Sequence, residues 1–391
     1  METLHPALKR GLSIWDRDRM PREEFEKRIS AIRKQMAVHN TDLLLVYGDC
    51  YRYGNMAYVS HYLPKNRGAL AILPREGNPA LIIKEPSRNN PFSRTLTWME
   101  EVASLPKYDK GLQDFLKNQN LTPRSIGLVG LSEQLGAGEV KAVRQVIPGA
   151  QFQEWTHILE PLRLVKTERE LALIREASTI AEHAVLAFQK ECRVGNKEVQ
   201  AGAAAERVAR LAGAEDVRIL LARGSEPEIG LRPPEGASLS SGDTVLFYVA
   251  VAFQRYWSEV GQTLCLGNPS EEVRSAHERL KKIHGRLVQE LGAGKPISAT
   301  VSQIDDPTVL SRQLSASLRT YGFGNGIGLD PEEAPVLSET NQSTLQEGMT
   351  LTIRLCAHGP GLSSALLARP YEAIRAGLRP LTSLSPEIMT C

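Results

Sequence analysis

Apolar positions in the first part of the chain alternate between helical spacing and short continuous runs. After Pro21 they recur every three or four residues up to Met36, which predicts an amphipathic helix. Asp42–Tyr47 then reads as a buried strand. Further apolar runs separated by helical patterns extend this arrangement, at Ala69–Leu73, Ala80–Ile83 and Ile126–Val129. The pattern predicts an α/β domain over residues 1–158.

The remaining residues, 159–391, begin with a long helical pattern. Thr167 and Glu170 have the spacing of a capping box, and Leu171 and Ile174 continue one apolar face, so a helix is expected to begin at Thr167. Helical patterns and apolar runs then follow one another, with helices at Lys197–Leu211 and Glu271–Leu291 and strands at Val217–Leu221, Val245–Phe253 and Trp257–Leu266. This half is predicted to be an α+β domain.

Composition narrows the classes of function. The 391 residues fit two domains of unequal size, and 42% hydrophobic residues predict a sizeable core. Forty-seven Lys and Arg against 45 Asp and Glu leave a net charge of +2, which gives no general attraction to nucleic acid or anionic membranes. The longest apolar run, Val245–Phe253, is far shorter than the roughly 20 residues that cross a bilayer. We therefore expect no nucleic-acid partner and no membrane segment.

The start of the chain and the pattern of its cysteines bear on the cellular compartment in which the protein is expected. Residues 1–25 carry acids and bases throughout, without the apolar run of a secretory signal. The cysteines are odd in number, scattered and without zinc-site spacing, at Cys50, Cys192, Cys265, Cys356 and Cys391. Such cysteines fit a reducing compartment better than a disulfide framework, so we expect a cytoplasmic protein.

Four ordered segments of the chain resemble one protein family. They are Leu162–Val185, the strand start Gly242–Phe247, the glycine loop Gly324–Leu329 and Glu347–Ile353. Together they resemble the creatinase and aminopeptidase P family, whose pita-bread fold is shared with prolidase and methionine aminopeptidase. The resemblance implies a creatinase-like α/β N-terminal domain, an α+β pita-bread C-terminal domain and a homodimer.

The family's metal positions carry different residues in this chain. In the family's metallopeptidases, two aspartates, one histidine and two glutamates hold two divalent metals. The resemblance places these ligands at Tyr248, Glu259, Asn325, Arg354 and, for the last glutamate, near Ala368. Only one carboxylate remains, and its charge is cancelled by the arginine. We therefore expect no metal and no cofactor.

The family's histidines outside the metal site are also replaced. The acid–base histidine of creatinase falls at Leu231 or Arg232, and the histidine that follows the glycine loop falls at Glu332. Neither peptidase nor creatinase activity can be carried over residue by residue, because fold alone does not specify function.

The substituted metal positions form the first group of candidate site residues. Glu259 is a candidate general base, and Arg354 a candidate for gripping a substrate carboxylate; the alternative is a structural ion pair. In either case we expect the two side chains to lie close together and the guanidinium to lower the pKa of Glu259. Tyr248 could donate to a substrate oxygen or be an ordinary strand tyrosine. Asn325 could bind ligand or hold the glycine loop.

Other candidates lie outside those positions. Arg232 could bind an anion or be solvated, and Glu332 is a further candidate catalytic carboxylate. His358 could replace the missing acid–base histidine from a Gly-Pro-Gly turn, although a bystander role is the alternative. His61 and Arg67 belong to a loop that approaches an active site in family members, often across a dimer interface, so they are candidate substrate-binding residues.

Three functions remain open on this basis. The leading hypothesis is a metal-independent creatinase-like enzyme that hydrolyses or eliminates at a C–N bond of a small polar, carboxylate-bearing substrate. The alternative is a pseudo-peptidase that has lost catalysis and serves in binding or scaffolding. A third alternative, with the least support, is a dinuclear Xaa-Pro aminopeptidase that uses unusual ligands.

Overall fold

The protein is described by a computed structural model over residues 14–65, 67–224, 230–304, 312–358 and 363–391. Its chain divides into two compact units between Arg163 and Leu164. The predicted domain boundary after residue 158 stays a prediction. Within the described ranges, no helix is long and apolar enough to cross a membrane. The Gly-Pro-Gly turn that follows His358 lies outside the described residues.

The first unit is an α/β structure, as predicted. Its elements are α1 (Arg22–Val38), β1 (Leu43–Gly48), α2 (Gly54–Ser60), β2 (Ala69–Pro74), β3 (Ala80–Ile83), α3 (Asn90–Ser93), β4 (Glu101–Ser104), α4 (Tyr108–Asn118), β5 (Ser125–Val129), α5 (Leu131–Gln134), α6 (Ala137–Gln145), β6 (Gln151–Glu154) and α7 (Thr156–Leu159); α8 (Pro161–Leu164) spans the boundary. The described strands form a mixed sheet in the order β4-β3-β2-β1-β5-β6. Apolar residues of α1, Phe25, Ile29, Ile32 and Met36, are buried, as their helical spacing predicts.

The second unit contains a larger sheet, most of whose strands are antiparallel. Its elements are α9 (Glu168–Glu191), α10 (Glu198–Leu211), β7 (Asp216–Arg223), β8 (Thr244–Phe253), β9 (Tyr256–Cys265), α11 (Glu271–Glu290), α12 (Ile297–Ile304), α13 (Arg312–Tyr321), β10 (Gly324–Gly326), β11 (Glu333–Val336), β12 (Thr350–Ala357), β13 (Ala365–Ile374), β14 (Gly377–Pro380) and β15 (Met389–Thr390). The described strands follow the order β11-β10-β12-β13-β9-β8-β7, with β14 beside β13 and β15 beside β9. Thr167 caps α9 through the predicted capping box with Glu170.

Helices cover one face of this sheet and leave the other face for the candidate site. Successive side chains of a strand point to opposite faces. On the helix side, Phe247 of β8 stacks on Phe188 of α9 at a ring distance of 3.9 Å. Ile353 and Leu355 of β12 pack into the core that includes α11, α12 and α13. Tyr248 follows Phe247 in β8, and Arg354 follows Ile353 in β12. Both side chains therefore project from the opposite face of the sheet.

The hairpin that joins β8 to β9 fixes the register of the strands carrying Tyr248 and Glu259. Its two turn residues, Gln254 and Arg255, have positive φ angles of 47° and 75°. Positive φ angles are required in a two-residue hairpin turn whose twist matches that of the two strands. Arg255 is fully buried, and its backbone N–H donates to the Glu215 carboxylate at 3.0 Å. Its guanidinium forms an ion pair with the same carboxylate. The strained turn is thus held by a buried charge pair.

Four paired residues cross the candidate-site face in one row. Tyr248 lies opposite Gly261, Gly261 opposite Ala368, and Ala368 opposite Arg354. Directly opposite residues of antiparallel strands share a face, so two small residues separate the tyrosine from the arginine. A Cβ on Gly261 would lie 2.8 Å from Ala368 Cβ. The small residues thereby leave room for the two large side chains to extend towards Glu259.

Gly261→Ala should destabilise the second unit by about 2 kcal/mol, because the added methyl group would lie 2.8 Å from Ala368 Cβ and 3.0 Å from Leu366 Cγ and so overpacks against both. The matched control is the double variant Gly261→Ala/Ala368→Gly, which relieves the contact with Ala368 but not that with Leu366, and should recover part of the loss. Urea denaturation of both variants measures the difference. Equal destabilisation of the single and double variants would contradict the packing explanation.

Candidate functional site

A buried carboxylate lies at the centre of the candidate site. The Glu259 side chain is 1% exposed, and its Oε1 accepts a hydrogen bond from Arg354 Nη1 at 2.9 Å. Its Oε2 accepts a hydrogen bond from the Tyr248 hydroxyl. Both carboxylate oxygens are therefore engaged within the protein. The predicted proximity of Glu259 and Arg354 is confirmed.

The second arm of the Arg354 guanidinium reaches the glycine loop. Arg354 Nη2 donates to Asn325 Oδ1 at 3.0 Å, while Asn325 Nδ2 donates to the carbonyl oxygens of Gly326 and Pro331 at 2.8 and 3.2 Å. Asn325 thus holds its own loop and orients the arginine at the same time. Glycine is required beside it, because Gly324 has a φ of 132° and a Cβ there would lie 1.9 Å from the carbonyl oxygen of Thr352.

Burial dominates the electrostatics of this network of Tyr248, Glu259, Arg354 and Asn325, which we term the polar network. Burial raises the pKa of Glu259, although Arg354 and the Tyr248 hydroxyl act in the opposite direction. The guanidinium lowers this pKa, as predicted, but desolvation outweighs its effect and leaves the pKa of Glu259 raised. Burial and the Glu259 charge raise the pKa of Tyr248 well above its ordinary value, which keeps its hydroxyl protonated as a donor. Burial acts to lower the pKa of Arg354, but the Glu259 charge and neighbouring groups outweigh it and raise the pKa.

The solvent side of the network carries a second carboxylate. Glu332 is 75% exposed, and its Oε1 lies 3.9 Å from Arg354 Nη2, while the Arg354 side chain is 20% exposed. The side chain of the next residue, Glu333, is buried instead. It accepts from Lys166 Nζ at 3.0 Å and from the Asp330 N–H at 3.1 Å. This pair anchors the segment that presents Glu332. No local pattern in the sequence predicts this pair, because its two partners lie 167 positions apart.

An apolar surface borders the network on the same face of the sheet. Leu231 and Tyr248, both half-buried, pack against a cluster of buried residues composed of Ala222, Leu246, Cys356 and Leu366. Leu231 occupies one of the two positions that align with the creatinase histidine. The site therefore combines a charged centre with an apolar border. A sequence feature that could have indicated close packing at this site is the single glycine within β9, Gly261.

Two candidates of the second unit lie outside the polar network. Arg232 makes a bidentate ion pair with Glu198, at 2.8 and 3.1 Å. Its guanidinium is therefore already paired with a carboxylate of the protein, which disfavours the predicted role in binding an anion. His358 lies beyond the end of β12, four residues from Arg354, which corresponds to roughly 13 Å along an extended strand. Its backbone N–H donates to Ser317 Oγ at 2.9 Å. Burial lowers the pKa of His358.

The two candidates of the first unit differ in exposure. Arg67 is exposed. His61 is fully buried, with its ring 5.4 Å from the Phe25 ring. An imidazole packed in this way does not meet a ligand, so the structure corrects the substrate-binding prediction for His61. The role of Arg67 stays a prediction.

The polar network does not fit the two-metal centre of the family. A stable two-metal centre needs several carboxylate, imidazole or thiolate donors, because amide and phenol oxygens alone are weak ligands. Glu259 is the one carboxylate at these positions, Ala368 offers no donor, and Arg354 places a cation where a second cation would be repelled. Within the described part of the chain, no three His, Cys, Asp or Glu side chains are grouped so that they could hold a metal ion.

Two family models match the chain. Residues 28–165 match the Creatinase/Prolidase N-terminal domain, and residues 172–366 match Metallopeptidase family M24. The chain is similar to the Xaa-Pro dipeptidase of Pyrococcus furiosus, with 24% identity over 298 residues that cover 74% of this chain and 80% of the relative.

Solved structures share the fold. The prolidase of Pyrococcus horikoshii OT3 superposes with a TM-score of 0.78 at 21% identity, over 93% of this chain and 100% of that one. The X-Pro aminopeptidase of Thermotoga maritima MSB8 superposes with a TM-score of 0.80 at 20% identity, over 93% and 99% of the two chains.

These comparisons correct the leading functional hypothesis. A metal-independent creatinase-like enzyme acting on a small carboxylate-bearing substrate is wrong, because the matched family is one of metallopeptidases and the relatives are named Xaa-Pro dipeptidase. The matches place the chain in a family of hydrolases, M24, and give no support for a lyase reaction. The predicted two-part fold is confirmed. The chain belongs to the creatinase and aminopeptidase P family and has its creatinase-like N-terminal domain and pita-bread C-terminal domain.

Proposed function

We propose that this chain is a peptide-binding member of family M24, in which the polar network takes the place of the metal pair. The observation that carries the proposal is the 2.9 Å ion pair between Glu259 and Arg354. The resemblance to the family places both residues at positions of its metal ligands. In a two-metal site, several carboxylates balance two divalent cations. Here one carboxylate is balanced by one guanidinium, so the site is electrically complete without metal.

The same contacts argue against hydrolysis by the protein's own groups. A general base must have a lone pair available for the proton of the attacking water. Glu259 accepts one hydrogen bond at each oxygen, from Arg354 and from Tyr248, and its side chain is only 1% exposed, so its remaining lone pairs are not accessible to an attacking water. The raised pKa of Tyr248 disfavours its ionised form as a base. Burial likewise raises the pKa of the Cys356 thiol to about 12, which disfavours a thiolate nucleophile.

The accessible groups suit a short peptide. Arg354 is partly exposed and can donate to a peptide carbonyl or carboxylate, while the exposed Glu332 carboxylate, 3.9 Å away, can accept from an amino terminus. Leu231 and Tyr248 supply a half-buried apolar surface for a side chain. Because curated relatives are named Xaa-Pro dipeptidase, we propose Xaa-Pro peptides as the ligand class, with the proline ring on this apolar surface.

We also propose that the protein is a cytoplasmic homodimer. The five cysteines are free, which suits a reducing compartment. Tyr51 is 56% exposed and Arg67 is exposed in the first unit. Tyrosine and arginine are enriched at protein interfaces, so these residues are proposed to contact the second copy.

The protein should bind an Xaa-Pro dipeptide without cleaving it and without bound metal. Three measurements on protein purified without chelator check this: elemental analysis, calorimetric titration with an Ala-Pro dipeptide, and chromatography after incubation with manganese or cobalt. We expect a trace of metal, saturable binding and intact dipeptide. Two metal ions per chain together with released proline would overturn the proposal, and so would the absence of dipeptide binding.

Two variants serve as controls for this experiment. Glu332→Gln should weaken dipeptide binding about tenfold, because it removes the charge from the proposed partner of the amino terminus. A variant with the family's ligands restored at all five positions (Tyr248→Asp, Glu259→Asp, Asn325→His, Arg354→Glu and Ala368→Glu) should gain metal binding. This second control shows that the metal assay detects a site in this fold.

Arg354→Ala should destabilise the second unit by about 3 kcal/mol, because it leaves Glu259 buried without its charged partner. Arg354→Lys keeps the positive charge and should therefore reduce the stability of the second unit by less. Removing the guanidinium also removes a group that lowers the pKa of Glu259, so this pKa should rise further. A carboxyl with a raised pKa in the folded state loses stability as pH rises through that pKa. Urea denaturation should therefore show that Arg354→Ala loses more free energy of unfolding at mildly alkaline than at mildly acidic pH. A loss of stability that does not depend on pH would contradict this explanation.

Light scattering at micromolar concentration should give twice the mass of one chain. The double variant Tyr51→Ala/Arg67→Ala should shift the protein towards monomer, because it truncates both proposed contact residues. A monomeric wild-type protein would exclude the homodimer.

A further inference from the structure

The strand β7 adds a second arginine to the face of the sheet that carries the polar network. In β7, Arg218 lies opposite Ala250 of β8, and Ala250 lies opposite Glu259 of β9. Directly opposite residues of antiparallel strands share a face. Two strand spacings of about 4.8 Å place the Cα atoms of Arg218 and Glu259 roughly 10 Å apart. Arg218 therefore borders the candidate site.

The guanidinium of Arg218 rests on a tryptophan of the same face. Trp257 precedes Glu259 by two positions in β9, so both side chains project from one face of the sheet. The guanidinium carbon of Arg218 lies 4.4 Å from the centre of the Trp257 ring. The tryptophan is 1% exposed, whereas Arg218 is exposed. The indole thus forms a rigid floor beneath a cation that faces solvent.

This stacking leaves the hydrogen-bond donors of Arg218 available. A cation–π contact uses the flat face of a guanidinium, while its N–H groups point outward in the plane and match a carboxylate in pairs. No carboxylate of the described residues forms an ion pair with Arg218, including Asp216 two positions earlier in β7. Arg354 differs, since Glu259 and Asn325 engage both arms of its guanidinium. Arg218 is therefore better suited than Arg354 to bind an incoming carboxylate.

The glycine loop connects this tryptophan to the exposed carboxylate of the site. The Trp257 N–H donates to the carbonyl oxygen of Gly328 at 2.7 Å. Four residues further along, Glu332 carries the exposed carboxylate beside the polar network. An extended dipeptide spans about 7 Å, and the long arginine side chain can cover the rest of the roughly 10 Å between Glu259 and Arg218. A dipeptide whose amino terminus lies at Glu332 can therefore present its carboxyl terminus to Arg218.

We infer that Arg218 binds the terminal carboxylate of the peptide, which makes the protein selective for dipeptides with a free carboxyl terminus. The inference rests on the proposed function, in which Glu332 accepts the amino terminus. It gives the two arginines different roles: Arg354, held by Glu259, donates to the peptide carbonyl, and Arg218 pairs with the charged terminus. A longer or amidated peptide places a neutral group there and loses a charge-assisted hydrogen bond.

The alternative role for Arg218 is to cover Trp257. The aliphatic stem of an arginine packs on apolar surface whether or not its head group binds a ligand. Methionine keeps a flexible apolar stem but has no charge and no N–H donor. Arg218→Met therefore separates the two roles, because it preserves the cover over the indole and removes the carboxylate partner.

The test compares an Ala-Pro dipeptide with its carboxyl-terminal amide in calorimetric titrations of the full chain. Wild-type protein should bind the acid about tenfold more tightly than the amide. Arg218→Met should abolish this preference. Arg218→Lys, which keeps the charge but loses the planar fork, should retain a smaller preference. Glu332→Gln should weaken binding of both peptides alike, because it acts at the amino terminus.

Arg207 provides a matched control on the other side of the sheet. It is an exposed arginine of α10. This helix packs on the opposite face of β7, since a Cβ on Gly202 of α10 would lie 4.0 Å from Ile219 Cγ2. Arg207→Met should therefore leave the affinities for the acid and the amide unchanged.

The titrations separate failure of this inference from failure of the proposed function. Equal affinity of the wild-type protein for acid and amide would overturn the inference alone, and so would a preference for the acid that survives in Arg218→Met. Binding of neither peptide by the wild-type protein would overturn the proposed function and this inference with it.

Discussion

The candidate site depends on the ion pair between Arg354 and Glu259. A carboxylate that is 1% exposed loses nearly all of its hydration, and this loss must be offset by a charged partner and further hydrogen bonds. Arg354 provides the charge and Tyr248 the second hydrogen bond. Asn325 then fixes the other arm of the guanidinium. Removing any one of these contacts leaves a buried polar group without its partner, so the four residues act as one unit.

The sheet explains how the chemistry of this site could change while the fold stayed the same. The register across β8, β9, β13 and β12 places Tyr248, Gly261, Ala368 and Arg354 in one row. Core packing against the helices uses the alternate residues of the same strands, such as Phe247 and Ile353. Substitutions on one face therefore leave the hydrophobic core on the other face intact, which is consistent with a TM-score of 0.78 at 21% identity.

Local signals in the sequence predicted the elements well, because periodicity and caps act over a few residues. The apolar spacing of α1 and the Thr167 cap of α9 are examples. The proximity of Glu259 and Arg354 followed from motif spacing in the family. Long-range partners were not predictable in this way: Glu198 engages Arg232, and Phe25 covers His61. The lowering of the Glu259 pKa by Arg354 was predicted, but the larger opposing effect of burial was not, since the depth of burial is not encoded locally in one sequence.

The polar network is also difficult to convert back to a metal site one residue at a time. A glutamate at position 354 would place a second carboxylate beside Glu259, and without a cation their repulsion in a buried environment is unfavourable. An apolar residue at position 259 would instead leave the Arg354 guanidinium half-buried without its carboxylate. Metal binding returns only when several positions change together, because each ligand is stabilised by the cation that the others help to hold. In the metal-free site that we propose, the ion pair between Arg354 and Glu259 therefore also separates this chain from the chemistry of its metallopeptidase relatives.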